Sequence, residues 1–119
     1  MIVGTGIDLF LTSRFDPHRG DPDFLSQIFT DHEIEELKHP GHPRYLPVMW
    51  FTLKEAALKA RGEGLSESWA WRSLTVSSDG DVIGADRDGS CVIHAAAAQC
   101  RQYSLALVVF EDQTRRTTA

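Results

Sequence analysis

The sequence predicts an α+β domain, because it combines one long helical segment with several short strand-like segments. The helical segment, residues 47–65, reads PVMWFTLKEAALKARGEGL and is rich in alanine, leucine and lysine, which are good helix formers. Strand-like segments of mainly apolar residues lie near both ends of the chain, at residues 2–9 and 103–110. Turn clusters of Asp, Ser and Gly separate the later strand segments. We therefore expect both classes of secondary structure within one domain.

The limits and faces of the long helix follow from its residues. Pro47 suits the first helical turn, and Gly62 and Gly64 suit the left-handed conformation that ends helices. Glu55 and Lys59 lie four residues apart on one side of the helix, where they can face each other. From spacing alone, the simplest interpretation of this pair is a solvated surface pair. The opposite side is apolar and small enough for another backbone to approach closely; it comprises Leu53, Ala56, Ala57 and Ala60.

The first strand segment contains two glycines and an acid in unusual places. Gly4 and Gly6 interrupt the segment, and glycines inside a strand mark a bulge or the close approach of another backbone. Asp8 lies at the far end of this apolar segment, where a carboxylate needs a partner or a bound cation. A cap at the end of the strand is the alternative interpretation of Asp8.

The remaining elements follow from local signals. Thr30 and Glu33 have the spacing of a capping box, which predicts a helix at about residues 31–38. Residues 95–98 are four alanines that could be helical, but the flanking β-branched and aromatic residues favour a strand. The other predicted elements are a short helix at 24–29, strands at 71–76, 91–98 and 103–110, and turns at 77–80 and 86–89.

Composition limits the class of protein. The 119 residues are expected to form a single domain over residues 1–119, with a polar tail at 113–119 that frays. The net charge of −5 argues against nucleic acid as a general partner. No apolar run reaches the length of a membrane span or has the pattern of a signal peptide, so no membrane association is expected. Cys91 and Cys100 lack metal-binding spacing and are expected to be free, buried thiols in a cytoplasmic protein.

Three separated motifs resemble a known family. Residues 4–9 (GTGIDL) resemble the GIGIDL opening of the 4′-phosphopantetheinyl transferase superfamily, and residues 29–33 (FTDHE) resemble its F(T/S)xxE element. Residues 51–65 (FTLKEAALKARGEGL) resemble its (F/W)xxKEAxxKAxGxG(L) signature, and Trp71 and Arg72 stand where the family carries WR. The resemblance implies the fold of that family, in which a small antiparallel sheet packs on one long helix and shorter helices.

The resemblance also implies an activity for the residues in unusual positions. Members of the family transfer the 4′-phosphopantetheine arm of coenzyme A to a serine of an acyl or peptidyl carrier protein and release 3′,5′-ADP. The acids that match Asp8 and Glu55 hold a Mg²⁺ ion, which prefers hard oxygen ligands of this kind. Glu55, directly or through a water, is implied as the base for the serine. Lys59 is implied as the group that neutralises the departing phosphate.

Further roles are implied for other residues of the matched motifs. Contacts with coenzyme A are implied for Lys54, Lys59, Arg61 and Gly62, and holding the helix in place is the alternative role of Lys54. Arg14 matches a basic position that faces the acidic helix of the carrier protein; an exposed loop arginine is the alternative. Family sites form between two units, and this chain holds one. We therefore expect a homo-oligomer, a trimer before a dimer.

The chain departs from the family pattern in two places. Residues 96–99 (AAAQ) replace the SxSH element of small carrier-protein synthases, so that Gln99 stands where the family has a histidine. Phe10 stands where the larger, pseudosymmetric branch carries a third acid. These departures leave a second interpretation open, a family member that binds a carrier protein or coenzyme A without efficient transfer. A third interpretation is an unrelated α+β domain. It would require three motifs to match the family by chance and in the family's order along the chain.

Overall fold

Helix α3 (Leu46–Arg61) is the centre of the fold, and most of its residues are buried. The computed structural model describes residues 1–62, 68–84 and 91–113. The other helices are shorter: α1 (Pro22–Ile28), α2 (Asp31–Leu37) and α4 (Ser68–Arg72). Two 3-10 turns, Thr12–Arg14 and Asp16–His18, connect the first strand to α1.

An antiparallel sheet packs on one side of α3. Strands β1 (Ile2–Leu11), β5 (Tyr103–Asp112) and β4 (Cys91–Gln99) form it in the order β1-β5-β4, so that the two chain ends pair in the sheet. A separate hairpin pairs β2 (Thr75–Val76) with β3 (Val82–Ile83). The predicted α+β fold, with a small antiparallel sheet on one long helix, is therefore confirmed. The four alanines of residues 95–98 belong to β4, as the flanking residues indicated.

The contact between β1 and α3 depends on glycine. A methyl group on Gly4 would overlap the carbonyl oxygen of Ala60, and one on Gly6 would overlap the carbonyl oxygen of Ala56. The pairing of β1 with β5 also shifts register between Ile2 and Gly4, which is a bulge. Both consequences expected of glycines in a strand, a bulge and a close backbone approach, are present here. They bring the inner face of β1 against the alanines of α3.

Local signals predicted the helix ends well. Pro47 lies in the first turn of α3, and Gly62 ends the helix with a left-handed φ of 77°. Helix α3 ends at Arg61, before the predicted end at residue 65, and Gly64 lies outside the described residues. The capping box of α2 is also confirmed. Thr30 Oγ1 accepts a hydrogen bond from the Glu33 amide at 3.2 Å, and Glu33 Oε1 accepts one from the Thr30 amide at 2.9 Å.

The predicted strand at residues 71–76 is wrong in its first half. Trp71 and Arg72 end helix α4, and only Thr75–Val76 is a strand. Tertiary contacts explain the difference, because the Trp71 ring stacks on Phe51 with 5.1 Å between centroids. The predicted turn at 77–80 connects β2 to β3, whereas the one at 86–89 lies outside the described residues.

Two further expectations concern the cysteines and the membrane. Cys100 is an exposed thiol and Cys91 is only partly buried, so the expectation that both are buried is wrong. Cys100 lies in the turn between β4 and β5, where its sulfur accepts a hydrogen bond from the Tyr103 amide at 3.4 Å. Among the described residues, no helix combines the length and apolar character needed to cross a bilayer.

Candidate active site

Asp8, Glu55 and Lys59 lie together where β1 crosses α3, and we call this group the carboxylate cluster. The Lys59 ammonium is 2.9 Å from Asp8 Oδ1 and 3.8 Å from Glu55 Oε2, so it contacts both acids. The Asp8 side chain is only 7% exposed, and its Oδ2 is buried without a hydrogen-bond partner. A buried carboxylate oxygen in this state is costly unless a ligand satisfies it.

Local structure explains why these three residues meet. Residues four apart on a helix lie one above the other, so Glu55 and Lys59 share one face of α3. Alternate residues of β1 point towards α3, and the close contact at Gly6 brings Asp8 within reach of that face. The interpretation of Glu55 and Lys59 as a solvated surface pair is therefore wrong for Glu55. Its side chain is only 16% exposed, because β1 packs beside it.

The electrostatics of the cluster indicate a shortage of positive charge. Burial and the neighbouring Asp8 carboxylate raise the pKa of Glu55 to about 7, although Lys59 and Arg14 oppose the increase. The hydrogen bond from Lys59 to Asp8 raises the pKa of the Lys59 ammonium. One resident ammonium therefore does not fully compensate two partly buried carboxylates. The cluster can accommodate a further cation.

Arg14 lies at the edge of this site, on the 3-10 turn that follows β1. Its guanidinium carbon is 6.0 Å from the centre of the Phe10 ring, and the side chain is exposed. It is close enough to Glu55 to lower the pKa of that carboxyl. Arg14 is therefore an exposed cation beside the carboxylate cluster.

Lys54, one residue before Glu55, lies in a different environment. Its ammonium donates to Glu33 Oε1 at 2.6 Å, to the Ile28 carbonyl at 2.9 Å and to the Trp71 carbonyl at 3.2 Å. The Lys54 and Glu33 side chains are 0% and 1% exposed, and we call them the buried ion pair. All three ammonium hydrogens have protein acceptors. The structure therefore favours the role of holding the helix in place over a direct contact with coenzyme A.

Sequence reasoning missed the part played by Glu33. The capping-box spacing identified this residue as a cap of α2, which it is, but gave no sign of the ion pair with a lysine 21 positions away. The available signal was the Lys54–Glu55 dipeptide itself. Two adjacent charged residues on a helix that is buried on most sides cannot share one solvated face, since they lie about 100° apart around the axis.

Two other residues of the predicted set, Arg61 and Gly62, contact other parts of the fold, as does Gln99 at the position that departs from the family pattern. Arg61, at the end of α3, donates to Ser73 Oγ at 3.1 Å and so joins α3 to the segment after α4. Gly62 caps the same end of the helix. Gln99 lies in the turn region between β4 and β5, where its Nε2 donates to the Cys100 carbonyl at 2.8 Å. The histidine position of the family therefore lies beside Thr12, beyond the end of β1.

The carboxylate cluster has the chemistry of a partial Mg²⁺ site. The described residues contain no group of three or more His, Cys, Asp or Glu side chains that could hold a metal ion by themselves. Mg²⁺ does not need such a group, because it retains several waters and is commonly bound by one or two carboxylates plus substrate phosphates. The unpartnered Asp8 Oδ2 and the partly buried Glu55 carboxyl are hard donors of this kind. The residues present therefore fit the ion.

Comparison with known proteins agrees with the fold and the motifs. Residues 4–108 match the model of the 4′-phosphopantetheinyl transferase superfamily. A holo-[acyl-carrier-protein] synthase of Halalkalibacterium halodurans is 32% identical to this chain, and the match covers 93% of this chain and 97% of that protein.

Two solved structures have a similar fold. The holo-(acyl-carrier-protein) synthase of Bacillus anthracis, solved in complex with CoA (3′,5′-ADP), has a TM-score of 0.73 at 24% identity, and the match covers 94% of this chain and 98% of that one. The holo-[acyl-carrier-protein] synthase of Neisseria meningitidis has a TM-score of 0.74 at 23% identity, covering 94% and 100%. At this level of identity the structural matches concern the fold.

Proposed function

The chain belongs to the 4′-phosphopantetheinyl transferase superfamily, and on this premise we propose that it transfers the 4′-phosphopantetheine arm of coenzyme A to a serine of a carrier protein. The observation that carries the proposal is the carboxylate cluster. Asp8 and Glu55 belong to the two strongest family motifs, are 47 positions apart, and both contact the Lys59 ammonium. Motifs that match by chance have no reason to meet at one site.

The proposed reaction assigns a task to each residue of the cluster. The serine hydroxyl attacks the phosphorus that carries the pantetheine arm, the bond to the bridging oxygen of the pyrophosphate breaks, and 3′,5′-ADP leaves. Asp8 and Glu55 would hold Mg²⁺, which neutralises charge on the pyrophosphate. Lys59 is 41% exposed and can turn from Asp8 towards the departing phosphate. Glu55, directly or through a water, takes the serine proton.

The partner of the reaction is an acyl or peptidyl carrier protein, and Arg14 is its proposed contact. The exposed guanidinium lies at the edge of the carboxylate cluster, where an acidic helix could bring its serine to the reacting phosphate. The Arg14→Ala substitution should raise KM for the carrier protein without changing the thermal stability. Arg72→Ala, which removes another exposed arginine, is the matched control. An unchanged KM in the Arg14 variant would exclude this contact.

We also propose that the protein is a homo-oligomer, a trimer before a dimer. The face of the sheet turned away from α3 is apolar and exposed; it includes Ile7, Leu9, Leu105 and Leu107. Neighbouring strands place these side chains side by side, and a continuous apolar face of this kind is typical of protein interfaces. Light scattering should give a mass of three chains. A monomer with full transferase activity would contradict the proposal.

The decisive experiment is carrier loading. The protein is incubated with coenzyme A, Mg²⁺ and a panel of apo carrier proteins, and intact mass spectrometry measures the added 4′-phosphopantetheine. A mass increase in at least one carrier, lost when EDTA replaces Mg²⁺, supports the proposal. No increase in any member of a panel that a known synthase loads would contradict it.

The replacement of the family histidine by Gln99 favours one alternative, binding without efficient transfer. Gln99 is neutral, so it brings no positive charge to a phosphate, and its amide nitrogen already donates to a backbone carbonyl. Titration calorimetry with coenzyme A distinguishes the two functions. Binding of coenzyme A together with a carrier of unchanged mass would identify a binding protein.

A further inference from the structure

The buried ion pair joins α3 to four other segments of backbone. Lys54 binds the carbonyl that ends α1, at Ile28, and the carbonyl of Trp71 in α4. Glu33 Oε1 accepts from the Thr30 amide at the start of α2, and Glu33 Oε2 accepts from the Val76 amide of β2 at 2.7 Å. One ammonium and one carboxylate therefore fix the positions of α1, α2, α4 and β2 relative to the middle of α3.

Stability alone does not explain a pair of this kind. The Lys54 and Glu33 side chains are 0% and 1% exposed, so both charges lose their hydration when the chain folds. Buried ion pairs often contribute no more stability than apolar residues of the same size. What the pair does provide is a fixed orientation of α3 relative to the segments that it contacts. All three Lys54 ammonium hydrogens have acceptors and both Glu33 oxygens have donors, so each contact fixes an angle as well as a distance.

The position of the pair on α3 connects it to the carboxylate cluster. Lys54 immediately precedes Glu55, and the close contact between Gly6 and Ala56 lies in the same turn of the helix. The helix is thus held by β1 through the glycine contact and by the other segments through Lys54. A rotation of α3 by about 10° would move a carboxylate lying roughly 6 Å from its axis by about 1 Å. A shift of that size can lower a rate by up to about a hundredfold.

We infer that Lys54 and Glu33 are positioning residues, which hold Glu55 in register with Asp8, and that Lys54 does not contact coenzyme A. The inference rests on the proposed function for its kinetic readout, but also makes a prediction about cation binding alone. Lys54 acts through the orientation of α3. Its loss should therefore affect every task of Glu55 and leave the coenzyme A contacts in place.

The test compares Lys54→Met with the double variant Glu33→Gln/Lys54→Met and with the control Lys38→Met. Lys38 forms an exposed ion pair with Glu35 at 3.0 Å and lies outside the proposed site. Thermal unfolding gives Tm for each variant. Three further quantities are then measured at one temperature below every Tm: kcat, KM for coenzyme A, and the affinity for Mn²⁺ without coenzyme A.

We expect Lys54→Met to lower Tm by at least about 10 °C, because Glu33 keeps a buried and unpaired charge. It should also lower kcat at least about tenfold and weaken Mn²⁺ binding at least about fivefold. At a Mg²⁺ concentration that saturates the variant, KM for coenzyme A should change by less than about twofold. The double variant should recover at least half of the loss in Tm, since no unpaired charge remains. If Lys54→Met does not fold, the double variant supplies the kinetic and Mn²⁺ readouts. Lys38→Met should match the native protein in all four quantities.

Two results would overturn the inference. A rise of about tenfold in KM for coenzyme A with unchanged kcat and Mn²⁺ affinity would make Lys54 a direct contact. A loss of Tm with the other three quantities unchanged would make the pair purely structural. If the native protein loads no carrier but Mn²⁺ affinity still falls in Lys54→Met, the proposed function fails and the positioning role is retained.

Discussion

The buried ion pair and the carboxylate cluster contain adjacent residues of α3, Lys54 and Glu55, yet their charged groups differ in how far the chain supplies their hydrogen-bond partners. In the buried ion pair, every hydrogen of the Lys54 ammonium has an acceptor, and both Glu33 oxygens have donors. In the carboxylate cluster, Asp8 Oδ2 is buried without a partner, and Lys59 remains partly exposed. The first set of charges is paired within the chain, whereas the second leaves one buried carboxylate oxygen without a hydrogen-bond partner.

This difference separates a structural charge from a functional one. A buried group that has all its partners gains nothing from a ligand, so its role is to hold the fold. A carboxyl whose pKa is raised by burial and by a second carboxylate, as that of Glu55 is, gains from any cation that arrives. The motif alone does not show which of its residues hold the fold and which could bind a cation, because Lys54, Glu55 and Lys59 all belong to one family signature.

The largest expected effect tests whether the incomplete cluster is functional. Glu55→Gln should lower the rate of carrier loading at least about 10³-fold while leaving the fold intact, because it removes the proposed metal ligand and the proposed base. Intact mass spectrometry measures the rate, and circular dichroism checks the fold. Glu35→Gln, in an exposed ion pair on α2, is the control. Near-native loading by the Glu55 variant would show that Glu55 is neither ligand nor base.

The second prediction tests the contact that brings the cluster together. Gly6→Ala should lower the free energy of unfolding by about 3 kcal/mol, because the added methyl group overlaps the Ala56 carbonyl and the backbones must separate. The loading rate should fall as well, since Asp8 moves away from α3. Gly20→Ala is the control, because nothing lies within 4 Å of a methyl group there. Equal stability of the two variants in urea unfolding would disprove the close contact.

The third prediction concerns pH and the protein without metal. In EDTA, the raised pKa of Glu55 stabilises the folded protein below the ordinary pKa of 4.5, and this contribution is lost as the pH rises through about 7. Glu55→Gln lacks the ionisation. Its free energy of unfolding should therefore exceed that of the native protein by roughly 2 kcal/mol at pH 8. At pH 4.5 the two proteins should be equally stable. Urea titrations at the two pH values measure the difference, and a gap that does not depend on pH would contradict the assignment.

The smallest predicted effect compares the two lysines directly. Lys59→Met should tighten Mn²⁺ binding about tenfold without coenzyme A, because the ammonium no longer competes for the carboxylates. Lys54→Met should act in the opposite direction. Isothermal titration with Mn²⁺ measures both. If the two substitutions changed the Mn²⁺ affinity in the same direction, Lys59 could not be the ammonium that competes with the cation while Lys54 is the one that only holds the helix.

Local signals were sufficient to predict most of the fold. The proline and glycine at the ends of α3 and the capping box of α2 depend on residues a few positions apart, and these predictions hold. The strand predicted at residues 71–76 failed because the Trp71 ring packs on Phe51 and its carbonyl binds Lys54. Those partners lie about twenty positions earlier in the chain, and an alternating pattern in six residues contains no information about them.

The candidate site could be predicted only in part. The family resemblance and the odd position of Asp8 selected both acids, and the structure brings them to the same ammonium. The fate of Lys54 could not be predicted, because its acceptors come from α1, α2 and α4. Which of two adjacent charged residues faces the sheet and which faces the other helices is decided by packing that the sequence of α3 alone does not encode.

The close approach of β1 to α3 has a genetic consequence. The atoms that exclude a side chain at Gly4 and Gly6 are carbonyl oxygens of Ala60 and Ala56, which every residue type possesses. No exchange of a side chain on α3 can therefore make room for a methyl group at position 6. A search for second-site suppressors of Gly6→Ala should return reversion to glycine, or changes elsewhere that tilt the whole helix, but no compensating substitution at position 56.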